Sequence, residues 1–96
     1  MPHRIPPEVA QDIGPFLNRL AEFGYQPTDS RYSSESFGNY YVDLASKTSW
    51  MRIQRDRSQY YVNAVTAARR ENDGILRAFD DKAEFERALL DWLSEA

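Results

Sequence analysis

The 96-residue chain is 42% hydrophobic and 28% charged, with four glycines and five prolines, a composition that excludes a fibrous repeat or a disordered tail and suits one globular domain spanning residues 1–96. It has no cysteine, which excludes disulfides, a thiolate nucleophile and a zinc cluster and points to a reducing, cytoplasmic setting. The net charge of −3 is uneven: residues 1–46 carry three positive and six negative groups, 47–70 carry six and one, and 71–96 carry three and eight, so a basic middle lies between acidic ends, either attracting them within the fold or meeting a partner.

In chain order, MPHRIPPEVA lacks an apolar signal core, and no uncharged apolar run approaches the roughly 20 residues that span a bilayer. Export by that route and membrane spanning are therefore not expected, and residues 1–6 read as a flexible N-terminus. Residues 7–23 then place Val9, Ile13, Phe16, Leu17 and Leu20 at helical spacing. Pro15 inside this stretch predicts either a kink at Gly14-Pro15 or a short turn before a helix that begins at Pro15, with Gly24 supplying the left-handed end.

From residue 25 the period changes to two. YQPTDSRYSS, residues 25–34, is polar and contains Pro27, as an edge strand would. Tyr40, Val42 and Leu44 share one side of the next strand, opposite Tyr41 and Asp43; Met51 and Ile53 oppose Trp50, Arg52 and Gln54; Tyr60, Val62 and Ala64 oppose Tyr61 and Asn63. Arg55-Asp56-Arg57-Ser58 reads as the reversal between the last two strands, with Asp56 bonded to the backbone and the arginines splayed. Residues 66–79 read as strand, helix or loop with a turn at Asn72-Asp73-Gly74, and Ile75–Phe79 as a short extended lead-in. Asp81 and Glu84 form a D-x-x-E capping box for a helix over about 81–94, whose apolar stripe is Phe85, Leu89, Trp92 and Leu93.

The fold class is therefore α+β: an antiparallel four-stranded meander flanked by N- and C-terminal helices, α-β-β-β-β-α, in two layers. A sheet of four strands is roughly 19 Å wide, and two helices about 10 Å across cover one face of it. If both lie on the Tyr40, Val42, Leu44, Met51, Ile53 and Val62 side, then Tyr41, Asp43, Trp50, Arg52, Gln54, Tyr61 and Asn63 face outward. Tyr, Trp and Arg favour binding hot spots, although aromatic and β-branched residues also favour strands for packing reasons alone. The expected partner-binding set is Tyr41, Asp43, Trp50, Arg52, Gln54, Arg55, Arg57 and Tyr61, with Asp43 paired to Arg52 and an aromatic ring on the guanidinium. The tip arginines Arg55 and Arg57 suit a phosphate or carboxylate, or are simply solvated turn charges.

A catalytic centre is not expected. His3 is the one histidine, no inward-facing acidic pair suggests itself, Ser33, Ser34 and Ser36 have no neighbouring base, and no Gly-rich phosphate loop exists. No metal or cofactor is implied.

Residues 31–63, with S-F-G-N, a strand, then R-x-x-R-D-R-x-Q-Y (Arg52–Tyr60) and an aromatic strand, resemble small bacterial proteins of uncharacterised or immunity type encoded beside polymorphic and contact-dependent toxins. The resemblance implies a compact cytoplasmic α+β protein that binds and blocks a toxin domain, and it transfers no binding residues. The function expected is a non-catalytic protein-binding module of this inhibitor kind, whose acidic C-terminal helix could also meet a basic partner. The alternative is a nucleic-acid-binding module in which Trp50, Tyr41 and Tyr61 stack on bases and Arg52, Arg55, Arg57, Arg69 and Arg70 meet phosphates. A pI near 5.1 weighs against the alternative.

Overall fold

The computed structural model describes residues 4–36, 38–47, 49–65 and 77–94. The elements are α1 (Pro7–Ala21), β1 (Gln26–Ser33), a 3-10 turn (Ser34–Ser36), β2 (Asn39–Ala45), β3 (Trp50–Asp56), β4 (Gln59–Val65) and α2 (Lys82–Ser94). The strands form one antiparallel sheet in the order β1-β2-β3-β4, the expected meander between two helices. The Pro27 strand is an edge, and a register shift between Pro27 and Asp29 interrupts its pairing with β2. Among the described residues no helix is long and apolar enough to cross a membrane.

Pro15 is accommodated by a kink. Ile13 leaves helical geometry (φ −129°, ψ 18°) two residues before it, which accommodates the missing donor and the ring's clash with the preceding turn. Gly24, at φ +89°, lets its own N–H reach the Ala21 carbonyl (2.9 Å) and that of Tyr25 reach Leu20 (3.1 Å), the two bonds of a Schellman stop. At α2 the Asp81 carboxylate accepts the N–H groups of Ala83 (2.9 Å) and Glu84 (3.4 Å), whereas Glu84 itself is engaged by Arg77 at 3.3 Å.

Both helices bury their apolar stripes against the same side of the sheet. Val9, Ile13, Phe16, Leu17 and Leu20 of α1 and Phe85, Leu89, Trp92 and Leu93 of α2 form one cluster with Tyr40, Val42, Leu44, Met51, Ile53, Tyr60 and Val62. Phe85 is its aromatic hub, stacked on Tyr60 (5.9 Å between centroids) and meeting Phe16 and Phe79 edge-on. Phe79 bridges Tyr60 through two backbone hydrogen bonds of 2.8 Å, as an extended lead-in to α2 would; the other expectations for residues 66–76, and for His3, lie outside the described residues.

Two local expectations are corrected. The β3–β4 reversal is the two-residue turn Arg57-Ser58, both at positive φ (53° and 66°), so Arg55 belongs to β3 in the row Tyr40–Arg55–Tyr60. It carries the helix-facing parity of Met51 and Ile53, because period two continues through residue 55. The turn is held by Asn39: its Nδ2 donates to Asp56 (2.9 Å) and its Oδ1 accepts the Arg57 N–H (3.1 Å), a cross-strand clamp in place of an Asp56–backbone bond. A register shift after Val62 sets Ala64 opposite Arg52 and Val65 opposite Met51, a bulge in the β3–β4 pairing; the expected direction of the Ala64 side chain lies outside what is described.

Candidate partner-binding site

The outer face of the sheet is ordered in rows by the strand register. Arg31, Tyr41, Gln54 and Tyr61 form one row, Asp29, Asp43 and Arg52 the next, and Gln26, Ala45 and Trp50 a third. None of these residues belongs to the core cluster built by the helices. Tyr41, Trp50, Arg52, Gln54 and Tyr61 are all half-buried, covered in part by one another's neighbours on the pleat.

At its centre Arg52 grips Asp43 in a bidentate pair, Nε to Oδ1 at 2.6 Å and Nη2 to Oδ2 at 3.0 Å. Asp43 is only 6% exposed although it lies on the face away from the helices, so its charge needs a fixed counter-ion there. The guanidinium carbon stands 4.0 Å from the centroid of the Tyr41 ring, and the Tyr41 hydroxyl donates to Asp29 at 3.3 Å. Asp29 also accepts the Ser30 N–H at 2.9 Å. The result is a chain Asp29–Tyr41–Arg52–Asp43, in which the hydrogen bond to Asp43 pushes the guanidinium pKa up from its already high value. Burial, then the neighbouring Asp56 charge, pushes the Tyr61 hydroxyl up as well, so it stays protonated as a donor at neutral pH.

Of the eight expected residues, the structure links Tyr41, Asp43 and Arg52 directly, sets Gln54 and Tyr61 in the row beside them and Trp50 in the row beyond. Arg57 is exposed at the turn, off the end of this surface. Arg55 is on the other side of the sheet, where a second polar group lies that periodicity alone did not assemble. Asp12 of α1 accepts hydrogen bonds from the hydroxyls of Tyr40 (2.7 Å) and Tyr60 (2.9 Å), and Lys82 of α2 donates to its carbonyl (2.8 Å) and carboxylate (3.3 Å). Arg55 Nε lies 4.0 Å from Asp12 Oδ2 and its Nη1 donates to the Gly38 carbonyl at 3.2 Å. Burial pushes the Asp12 pKa up, but the bonds from Tyr40, Tyr60 and Lys82 outweigh it and hold the carboxyl below its ordinary value. The same burial, with Asp12 as acceptor, raises both tyrosines, Tyr40 strongly.

A signal for this inner group was present in the sequence: Asp12 sits beside Ile13 on the apolar stripe of α1, and Tyr40, Arg55 and Tyr60 share the inward parity of their strands. Among the described residues no three Asp, Glu or His side chains converge to hold a metal ion. Compared with protein-family models, curated proteins and solved structures, the chain matches none.

Proposed function

We propose that this protein is a non-catalytic protein-binding module, of the kind that inhibits a toxin domain, and that its outer sheet face makes the contact. The observation that carries this reading is the Asp29–Tyr41–Arg52–Asp43 chain: the guanidinium is gripped on one edge and stacked on one plane before any partner arrives. A preformed aromatic and arginine surface loses little side-chain entropy on binding. Gln54 and Tyr61 add hydrogen-bonding groups and Trp50 an apolar one. A chain free of cysteine suits a bacterial cytoplasm, where such inhibitors act. Use of the same face for nucleic acid is disfavoured, because Asp43 already neutralises Arg52 and Asp29 adds a further negative charge beside it.

The test is co-expression with the product of the adjacent gene. The two chains are expected to co-purify and growth to be protected, and Trp50→Ala and Tyr61→Ala, checked for unchanged melting, are each expected to weaken the complex about tenfold, or about 1.4 kcal/mol. Full retention by both variants removes the sheet face from the reading. Binding of single-stranded RNA or DNA at low salt, lost steeply as salt rises, replaces the reading with the nucleic-acid one.

A further inference from the structure

The helix layer has its own unmatched surface, remote from the sheet face. The outward side of α2 carries Ala83, Arg87, Asp91 and Ser94, all exposed, and together with Leu90 and, from the end of α1, Arg19 and Phe23 they line a shallow groove. Phe23, 40% exposed, is the one large hydrophobic residue exposed among those described. Arg87 and Asp91 make no side-chain hydrogen bond or ion pair with another described residue. Along one helix they also stand in the less favourable order, cation before anion.

We infer that this groove is the contact between two copies of the chain, related by a two-fold axis. The argument is charge self-complementarity. A two-fold interface applies one patch to itself, so every group must find its complement within the same patch. Arg19 is already paired with Glu22 of its own chain (3.9 Å), and the groove offers the exposed Arg87 and Asp91 as one charge of each sign. Arg87 and Asp91 are four residues apart, about 6 Å along the helix. An antiparallel crossing of two α2 helices midway between them sets Arg87 of each copy against Asp91 of the other, giving two ion pairs. The small Ala83 and Ser94 leave the two ends of this helix face free of bulk, and Phe23 with Leu90 supplies apolar area beside the pairs. The outer sheet face lacks this property, since its central arginine is already satisfied within the chain. Two chains joined through their helix layers carry their sheets outward, so the dimer presents two sheet faces on opposite sides and is bivalent for whatever binds there.

Sedimentation equilibrium of the full chain tests this independently of any ligand. The mass is expected to rise from 11.2 kDa towards twice that value as concentration approaches roughly 1 mM, the range of weak, small interfaces. Arg87→Asp and Asp91→Arg each turn two attractions into two repulsions, and each is expected to weaken association about tenfold or more, with melting unchanged because both sites are exposed. An equimolar mixture of the two variants restores both pairs in the mixed dimer and is expected to associate as the parent does. A parent that stays at 11.2 kDa throughout, variants that associate like the parent, or a mixture that stays monomeric each overturns the inference.

Discussion

On the inner face of the sheet Asp12 gathers Tyr40, Tyr60, Arg55 and Lys82 from β2, β4, β3 and α2, whereas on the outer face Asp43 is held by Arg52 of the neighbouring strand. The residue types are the same: a carboxylate, an arginine, tyrosines. Their consequences differ because of where the ligands come from. The inner group joins both helices to three strands, so removing it loosens the contact between the layers. The outer group closes within the sheet and leaves the layers alone, so it can present a surface without holding the fold together. Polar chemistry on a sheet becomes structural when it bridges layers and available when it does not.

Asp12→Ala is the strongest way to break this contrast. It leaves two tyrosine hydroxyls without their acceptor and Lys82 with only the backbone carbonyl of residue 12, and a cost of about 2–3 kcal/mol, seen as a melting point roughly 10–20 °C lower, is expected. The pH dependence has a definite sign. A carboxyl held below its ordinary pKa of 3.8 contributes stability that is present above that value and lost as pH falls through it, while the raised tyrosines contribute stability that is lost as pH rises past their ordinary value of 10.0. Asp12→Asn is expected to flatten the acid limb of a stability–pH curve. An acid limb unchanged in that variant assigns the linkage to other carboxylates.

The outer group is expected to cost less. In Asp43→Ala the freed Arg52, whose side chain is 31% exposed, turns to water, and a loss of about 1 kcal/mol is expected by urea denaturation. Arg52→Ala is the more damaging change of that pair, about 1–2 kcal/mol, since it strands a carboxylate that is nearly buried. If Asp43→Ala proved as costly as Asp12→Ala, the outer face would be interior in all but position, and the binding proposal would lose its footing.

Much of this contrast was legible in the residues. Alternation along β2 and β3 separates Tyr41, Asp43, Arg52 and Gln54 from Val42, Leu44, Met51 and Ile53, because a strand's side-chain period leaves no choice once one face is apolar. The Asp43–Arg52 pair followed from equal parity on adjacent strands. Arg55 was misplaced because R-D-R-S has the polarity of a loop, and polarity does not reveal that Asn39, sixteen residues earlier in the chain, closes the turn one step later. Asp12 is the deeper omission. Its ligands come from four elements between residues 40 and 82, and helical spacing shows only that a charge lies on an apolar stripe, not what it meets.

The turn offers the smallest and cleanest change, because it acts on both faces equally. Arg57 and Ser58 occupy left-handed backbone (φ 53° and 66°), the geometry a two-residue hairpin with right-handed twist demands and that glycine adopts without a Cβ penalty. Ser58→Gly relieves that strain at the position where Asn-Gly turns carry their glycine, against the extra entropy glycine brings to the unfolded chain. The net is expected to be a gain of about 0.5 kcal/mol, read as a melting point higher by a few degrees with the difference between Asp12→Ala and Asp43→Ala preserved in the Ser58→Gly background. Preservation is expected because the turn sets the register of Arg55 against Tyr60 and of Gln54 against Tyr61 alike. A gain that shrinks the cost of one carboxylate variant and not the other would mean that the turn couples to a single face, and that the two groups do not share one rigid sheet.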